Sequence, residues 1–355
     1  MEVISMNPRK MLFIILAGAV LISVTASCAL GPKPIVTEES EPASTSSPEV
    51  TAQAPESEPS AQSPDSDSQA APDTSAPQEE SSEPQPAQQE QTCAEDTCVL
   101  PGHFVLSRPI GPDGRNTVVY ADRFGSYRRA TKDARHGVTF LNSTGTPVLA
   151  AADGVVVIAG DDSKTAYGLN RNMYGSLVIL QHDLPGVSDP VYTLYAHLSE
   201  VSVKPKDNVQ RGDQIGLVGM TGNVAGSSLL FEVRVGENSY AAARNPELWL
   251  EPLSDEDSGE VQGALAGRVL NAEGKYVSIP NILIERLAGP GQPAMDQIYL
   301  KTYAGQTGLS PWEENFASGD MPPGEYQISF LMNGMHQREV TVEPGKLTLV
   351  TFELE

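Results

Sequence analysis

Positive charge is scarce in this chain. Lys and Arg number 23 against 46 Asp and Glu, giving a net charge of -23 over 355 residues. From Pro34 to Thr92 there is no Lys or Arg at all. A chain with no basic patch cannot neutralise phosphates, so nucleic acid is excluded as a partner. Long apolar runs are also missing. The run from Met11 to Val24 covers fourteen residues, too few for a hydrocarbon core about 30 Å thick. The Pro-, Ser- and Gln-rich stretch that follows cannot bury enough apolar surface to offset the entropy of ordering it. Residues 29–92 are therefore expected to be a disordered acidic linker.

The N-terminus gives that linker a purpose. "NPRKMLFIILAGAVLISVTASC" has Arg9 and Lys10, then the apolar run, then small residues, as a secretory signal does. Thr25-Ala26-Ser27-Cys28 resembles a bacterial lipobox, which implies that residues 1–28 are a lipoprotein signal and that Cys28 carries lipid. Membrane is then a partner through that anchor, on the outer face of a bacterial membrane. The 62 residues from Gly31 to Thr92 would span roughly 45 Å as a flexible coil. Cys93 and Cys98, in "CAEDTC", are expected to pair as a disulfide in an exported chain. A metal site built from Cys93, Cys98 and His103 is the alternative, and its spacing matches no standard motif.

Residues 93–253 read as β. Runs such as "GTPVLAAADGVVVIAG", "GSLVILQHD", "VYTLYAHLS" and "SSLLFEVRV" are separated by Gly, Asp, Asn and Pro, the pattern of an antiparallel domain with little helix. "FGSYR", "YAHLS", "RGDQIGLVGMTGN" and "LFEVRV", in this order and spacing, resemble the lysostaphin and LytM type of zinc metalloendopeptidase, which cuts peptidoglycan cross-links. The resemblance implies an antiparallel β domain with a duplicated hybrid motif. It also implies zinc held by a His-x-Gly-x-Asp motif and by the second His of a His-x-His motif before Phe-Glu, with two further His acting on the attacking water.

Aligning Gly137 with that first glycine puts Arg135 at the first ligand and Thr139 at the Asp. Ser228 then stands at a catalytic His and Leu230 at the last ligand; His197, of "YAHLS", keeps its position. Arg carries no lone pair, Leu offers no donor, and a neutral Thr hydroxyl is a poor ligand beside imidazole or carboxylate. No catalytic residue, no metal site and no cofactor are therefore expected, with zinc only under the alternative of an active endopeptidase using a shifted site. His136, one position late, should face away from such a site on a strand unless a bulge intervenes. His182, at a strand end, is expected to stabilise a turn or lie at the surface, and His197 either bonds a ligand or is structural. A ligand groove is expected around Arg135, His197, Ser228, Tyr167 and Arg171. "DDSKTAYGLNRNMYG", Asp161 to Gly175, either lines that groove or is a solvated insertion.

"SDEDSGEVQG", 254–263, is the expected hinge. Beyond it, residues 264–355 alternate apolar and polar residues between turn signals and resemble the carboxypeptidase-regulatory or Cna-B-like β-sandwich. The fold class expected is mainly β. The function expected is that of a surface lipoprotein, not an enzyme, whose degenerate peptidase domain binds peptidoglycan or regulates a cell-wall hydrolase.

Overall fold

Strands dominate the computed structural model, which is described for residues 96–126, 134–289, 293–303 and 312–355. The expected signal peptide, Cys28, the linker to residue 92 and Cys93 lie outside the described residues. Cys98 is in a disulfide whose partner also lies outside them. Strand β1 is Thr97–Leu100. The central domain contributes β2 (Val138–Leu141), β3 (Pro147–Leu149), β4 (Gly154–Asp161), β5 (Ser176–His182), β6 (Val191–Val201), β7 (Asn208–Val209), β8 (Gln214–Val218), β9 (Ser228–Val235) and β10 (Ala243–Arg244). The C-terminal part contributes β11 (Gly263–Asn271), β12 (Ile282–Leu287), β13 (Ala294–Leu300), β14 (Phe316–Met321), β15 (Gly324–Leu331), β16 (Met335–Val342) and β17 (Leu347–Leu354).

The central sheet runs β10-β9-β6-β5-β4-β7, with β2 on β9 and β8 joining β3 to β6. Alternation sorts its side chains onto two faces. Leu229, Phe231 and Val233 of β9 and Val178 and Leu180 of β5 enter the main core. Leu230, Leu177, Ile179, Leu194 and Ala196 enter a smaller cluster with Tyr174 on the other face. In β6 the alternation skips: Leu198 pairs with Ser176 and Ala196 with Leu177, which leaves His197 as an extra residue at φ +68°. That is a β-bulge, and it moves Leu198 to the same face as Tyr195.

The C-terminal part is a sandwich of two four-stranded sheets, β1-β17-β11-β14 and β13-β12-β15-β16. Leu265, Val269, Phe316, Val350 and Phe352 meet Ile282, Ile284, Ile328 and Phe330 between them. The opposite face of the first sheet is apolar as well. Ala264, Ala266, Ala317, Leu347 and Leu349 join Leu106, Leu248, Trp249 and Leu250 in one core continuous with the central domain. "GALAG" and "LTLV" therefore read as nearly unbroken apolar runs: their sheet is covered on both sides.

Two expected boundaries are corrected by this arrangement. The segment after residue 93 does not open the central domain, because β1 pairs antiparallel with β17, Cys98 opposite Leu349. Residues 254–263 are not a loose hinge. Ser254 bridges Val261, the Gln262 amide donates to the Leu253 carbonyl at 2.8 Å, and the Asp255 carboxylate accepts from the Ser258 amide at 2.7 Å. Polar ties run beside the shared core: Arg108 pairs with Asp320, which also accepts from the Leu253 amide at 3.0 Å, and the Gly319 amide donates to Glu247 at 2.9 Å. Gly319 suits this approach, since a Cβ there would lie 3.0 Å from the Glu247 carbonyl oxygen.

Candidate functional site

The groove lies on the second face of the central sheet, where β9 presents Ser228, Leu230, Glu232 and Arg234 in alternation. A cavity of about 170 Å³ is lined here by residues 134–136, by the loop 169–173, and by Asn223, Leu230, Glu232 and Tyr240. Of the expected groove residues, Arg135 and Arg171 line it. Tyr167, His197 and Ser228 do not.

Each would-be ligand position has a structural occupation. Arg135 forms an ion pair with Asp122, and the Gly125 amide donates to its carbonyl at 2.9 Å. Thr139 is buried and pairs with Leu230 across β2 and β9. Leu230 itself packs into the apolar cluster with Tyr174, Leu194 and Ala196. A guanidinium, a hydroxyl and an isobutyl group offer zinc no imidazole, thiolate or carboxylate, so these residues do not fit the ion. Among the described residues, no group of three or more His, Cys, Asp or Glu is placed to hold a metal.

The histidines are committed elsewhere. His197 is buried on its bulge; its Nδ1 donates to the Thr221 carbonyl at 2.8 Å, and its amide donates to the Tyr174 carbonyl at 2.9 Å. The two loops it joins touch backbone to backbone: a Cβ on Gly175 would lie 2.4 Å from the Gly222 amide nitrogen. His136 departs from the strand argument. Regular pairing begins at Val138, so residues 135–137 need not alternate, and His136 lines the same cavity as Arg135. Its ring stacks on Tyr240 at 3.6 Å, and its Nδ1 donates to the Tyr240 carbonyl at 2.6 Å. His182 ends β5 and is not at the surface; it ties down the bend at Asp153. It is buried, bonded at 2.7 Å both to the Asp153 carbonyl and to the Thr193 hydroxyl, and burial holds its pKa below the usual histidine value.

Sequence reasoning missed the polar cluster behind the groove. Tyr174 donates to Glu232 at 2.7 Å, and Arg234, fully buried, reaches the other Glu232 oxygen at 2.8 Å, the Tyr174 hydroxyl at 3.0 Å and Asn238 at 3.0 Å. Burial opposes the Arg234 charge, but the Glu232 carboxylate and the Tyr174 hydroxyl together outweigh it and hold the guanidinium above its ordinary range. Burial and the same carboxylate raise the Tyr174 hydroxyl well above its usual value. The signal was present in "LLFEVRV", where Glu232 and Arg234 keep the phase of Leu230. Nor is the stretch 161–175 a solvated insertion throughout. Buried Asp162 accepts from the Tyr174 amide at 2.8 Å and from the Gly175 amide at 3.0 Å, which fixes the rim of the cavity.

Comparison with known proteins places this domain. Residues 133–242 match the model of peptidase family M23. Over 106 residues the chain is 37% identical to the cell division protein DipM of Caulobacter vibrioides, covering 30% of this chain and 15% of that one. It is 37% identical over 100 residues to the peptidoglycan DD-endopeptidase ShyA of Vibrio cholerae, covering 28% and 20%. It is 30% identical over 105 residues to the murein hydrolase activator NlpD of Escherichia coli, covering 30% and 24%. The chain thus spans a quarter or less of these relatives' length. Among solved structures, the catalytic domain of lysostaphin from Staphylococcus simulans is similar at 30% identity and a TM-score of 0.31, over 37% of this chain and 88% of that one.

Proposed function

We propose that the central domain, whose residues 133–242 match the model of peptidase family M23, holds peptidoglycan in its groove without cutting it, on an exported protein anchored by lipid at Cys28. The observation that carries this is the replacement of all three ligand positions at a preserved sheet: Arg135 turned to Asp122, Thr139 buried, Leu230 packed among apolar side chains. Hydrolysis in such a site needs a metal to lower the pKa of water from about 15.7 towards 7. Binding needs only shape and a few fixed polar groups, and the cavity keeps both. Relatives named as an endopeptidase and as a murein hydrolase activator support peptidoglycan, or a hydrolase working on it, as the partner class.

Co-sedimentation tests this reading. The full-length chain in detergent is expected to pellet with isolated sacculi in a saturable way and to remain in the supernatant without them. A chain that never pellets, but is retained by an immobilised wall hydrolase, would favour the regulatory reading. Labelled palmitate incorporated by the wild type and not by Cys28→Ser checks the anchor.

A further inference from the structure

One end of the sheet β13-β12-β15-β16 is apolar on its solvent face. Leu331 and Met335 stand opposite each other at the tip of the β15–β16 hairpin and are 72% and 62% exposed. The next row across that face is Tyr299, Leu283, Ser329 and Gln337, which carries no charge. Acidic side chains return one row further in, where Glu285 and Glu339 flank Gln327. Exposed Tyr120 extends the patch, since its hydroxyl accepts from the Tyr299 amide at 2.7 Å and donates to the Tyr299 carbonyl. The tip is a fixed shape. The Met332 amide donates to the Gly334 carbonyl at 2.9 Å, His336 Nε2 donates to the Met332 carbonyl at 2.9 Å, and the Phe330 ring stacks on His336.

Strand β1 starts at this same end. It runs antiparallel to β17. β17 in turn runs antiparallel beside β16, where the Thr348 hydroxyl donates to the Thr341 carbonyl at 2.6 Å and the Arg338 guanidinium lies over the Phe352 ring at 5.3 Å. β1 and β16 therefore both lead away from the tip. Asp96, just before β1, pairs with Arg338 at 2.7 Å, and Arg338 is three residues from Met335, about 10 Å along a strand. The tether to Cys28 thus joins the sandwich beside its apolar end.

We propose that this patch docks on the bilayer to which the lipid on Cys28 anchors the chain. The proposal rests on the anchored reading and goes beyond it: the protein is seated on the membrane as well as tethered to it. Aliphatic tips flanked by tyrosines, with carboxylates set back, suit the water–lipid boundary, where apolar side chains enter the acyl region and phenols stay at headgroup depth. A tether spanning roughly 45 Å holds the patch at an effective concentration on the order of millimolar. A contact too weak to recruit a free protein then suffices. Because Tyr120 lies in the segment that leads into β2, docking orients the central domain too, and the distance of its groove from the bilayer is set by the fold.

Met335→Cys and, as a control on the acidic row, Glu339→Cys are each labelled with a nitrobenzoxadiazole dye in the lipidated full-length chain. Each is reconstituted into phosphatidylcholine vesicles with and without lipid spin-labelled high on the acyl chain. The dye at 335 is expected to shift to the blue and to be quenched at least about twofold more than the dye at 339. Leu331→Asp in the 335-labelled chain should remove that difference, with the melting temperature unchanged because Leu331 is exposed. Equal quenching at both sites, or a difference that survives Leu331→Asp, overturns the proposal. Shielding of the 335 dye that needs no vesicles and grows with protein concentration also overturns it, in favour of a second copy as the occupant; shielding by sacculi alone does so in favour of wall polymer. Flotation of the same vesicles separates the two readings. A chain that floats without differential quenching keeps the anchor and loses the docking, and a chain that does not float loses both.

Discussion

Thr139 and Leu230 stand directly opposite each other in the antiparallel pairing of β2 and β9. Opposed residues on one face of such a pair have Cβ atoms about 5 Å apart, a spacing from which two side chains can share one ion. Side chains with donor atoms at these two positions would therefore be near enough to share one ion. Substitution at these positions, on an intact sheet, can therefore test whether they converge on one ion.

The combined variant Arg135→His, Thr139→Asp, Leu230→His is expected to retain about one zinc per chain after dialysis. The native chain is expected to retain none. Elemental mass spectrometry on both checks this, and a metal-free triple variant would mean that these three positions do not converge on one point.

The continuous core predicts cooperativity. Trp249, Leu347 and Leu349 belong to the same buried cluster, so Trp249→Ala should cost about 3–5 kcal/mol and lower a single melting transition of the full chain. The fragment from residue 260 onward should aggregate, since it lacks β1 and exposes Ala264, Ala266 and Leu347. Two calorimetric transitions, of which Trp249→Ala moves only one, would contradict this.

The limits of sequence reading can be traced to particular residues. The central strands were legible because turn residues bracket them. The bulge at His197 was not legible, since it depends on how β5 and the 221–222 loop meet. The place of β1 was hidden for a similar reason: "TCVL" carries no sign that its partner lies some 250 residues away, at Leu347–Leu354. Arg135 was expected in the ligand groove, and the sequence carried no sign that its guanidinium pairs with Asp122. Long-range pairing and charge partnering are tertiary facts, and period and motif do not encode them.

Glu314 should make stability depend on pH. Burial raises its pKa from 4.5 to about 8, with the Tyr303 hydroxyl donating to it at 2.9 Å. The folded chain therefore binds this proton more tightly than the unfolded one. Stability from Glu314 is full below about pH 4.5 and is lost as pH rises towards 8. Melting of the wild type is expected to fall by about 5 °C between roughly pH 5.5 and 8.5 relative to Glu314→Gln. Parallel curves for the two proteins would show that Glu314 titrates normally. Since Glu247 is also raised by burial, the difference between the variants is the informative quantity.

Muropeptide release from isolated sacculi, in the presence of added zinc and analysed by chromatography and mass spectrometry, tests most directly whether the groove holds without cutting. The expected result is no release above buffer by the wild type, with the protein itself recovered in the pelleted wall. Zinc-dependent release by the wild type, lost in His197→Ala, would contradict it and establish an active endopeptidase working from a different set of ligands.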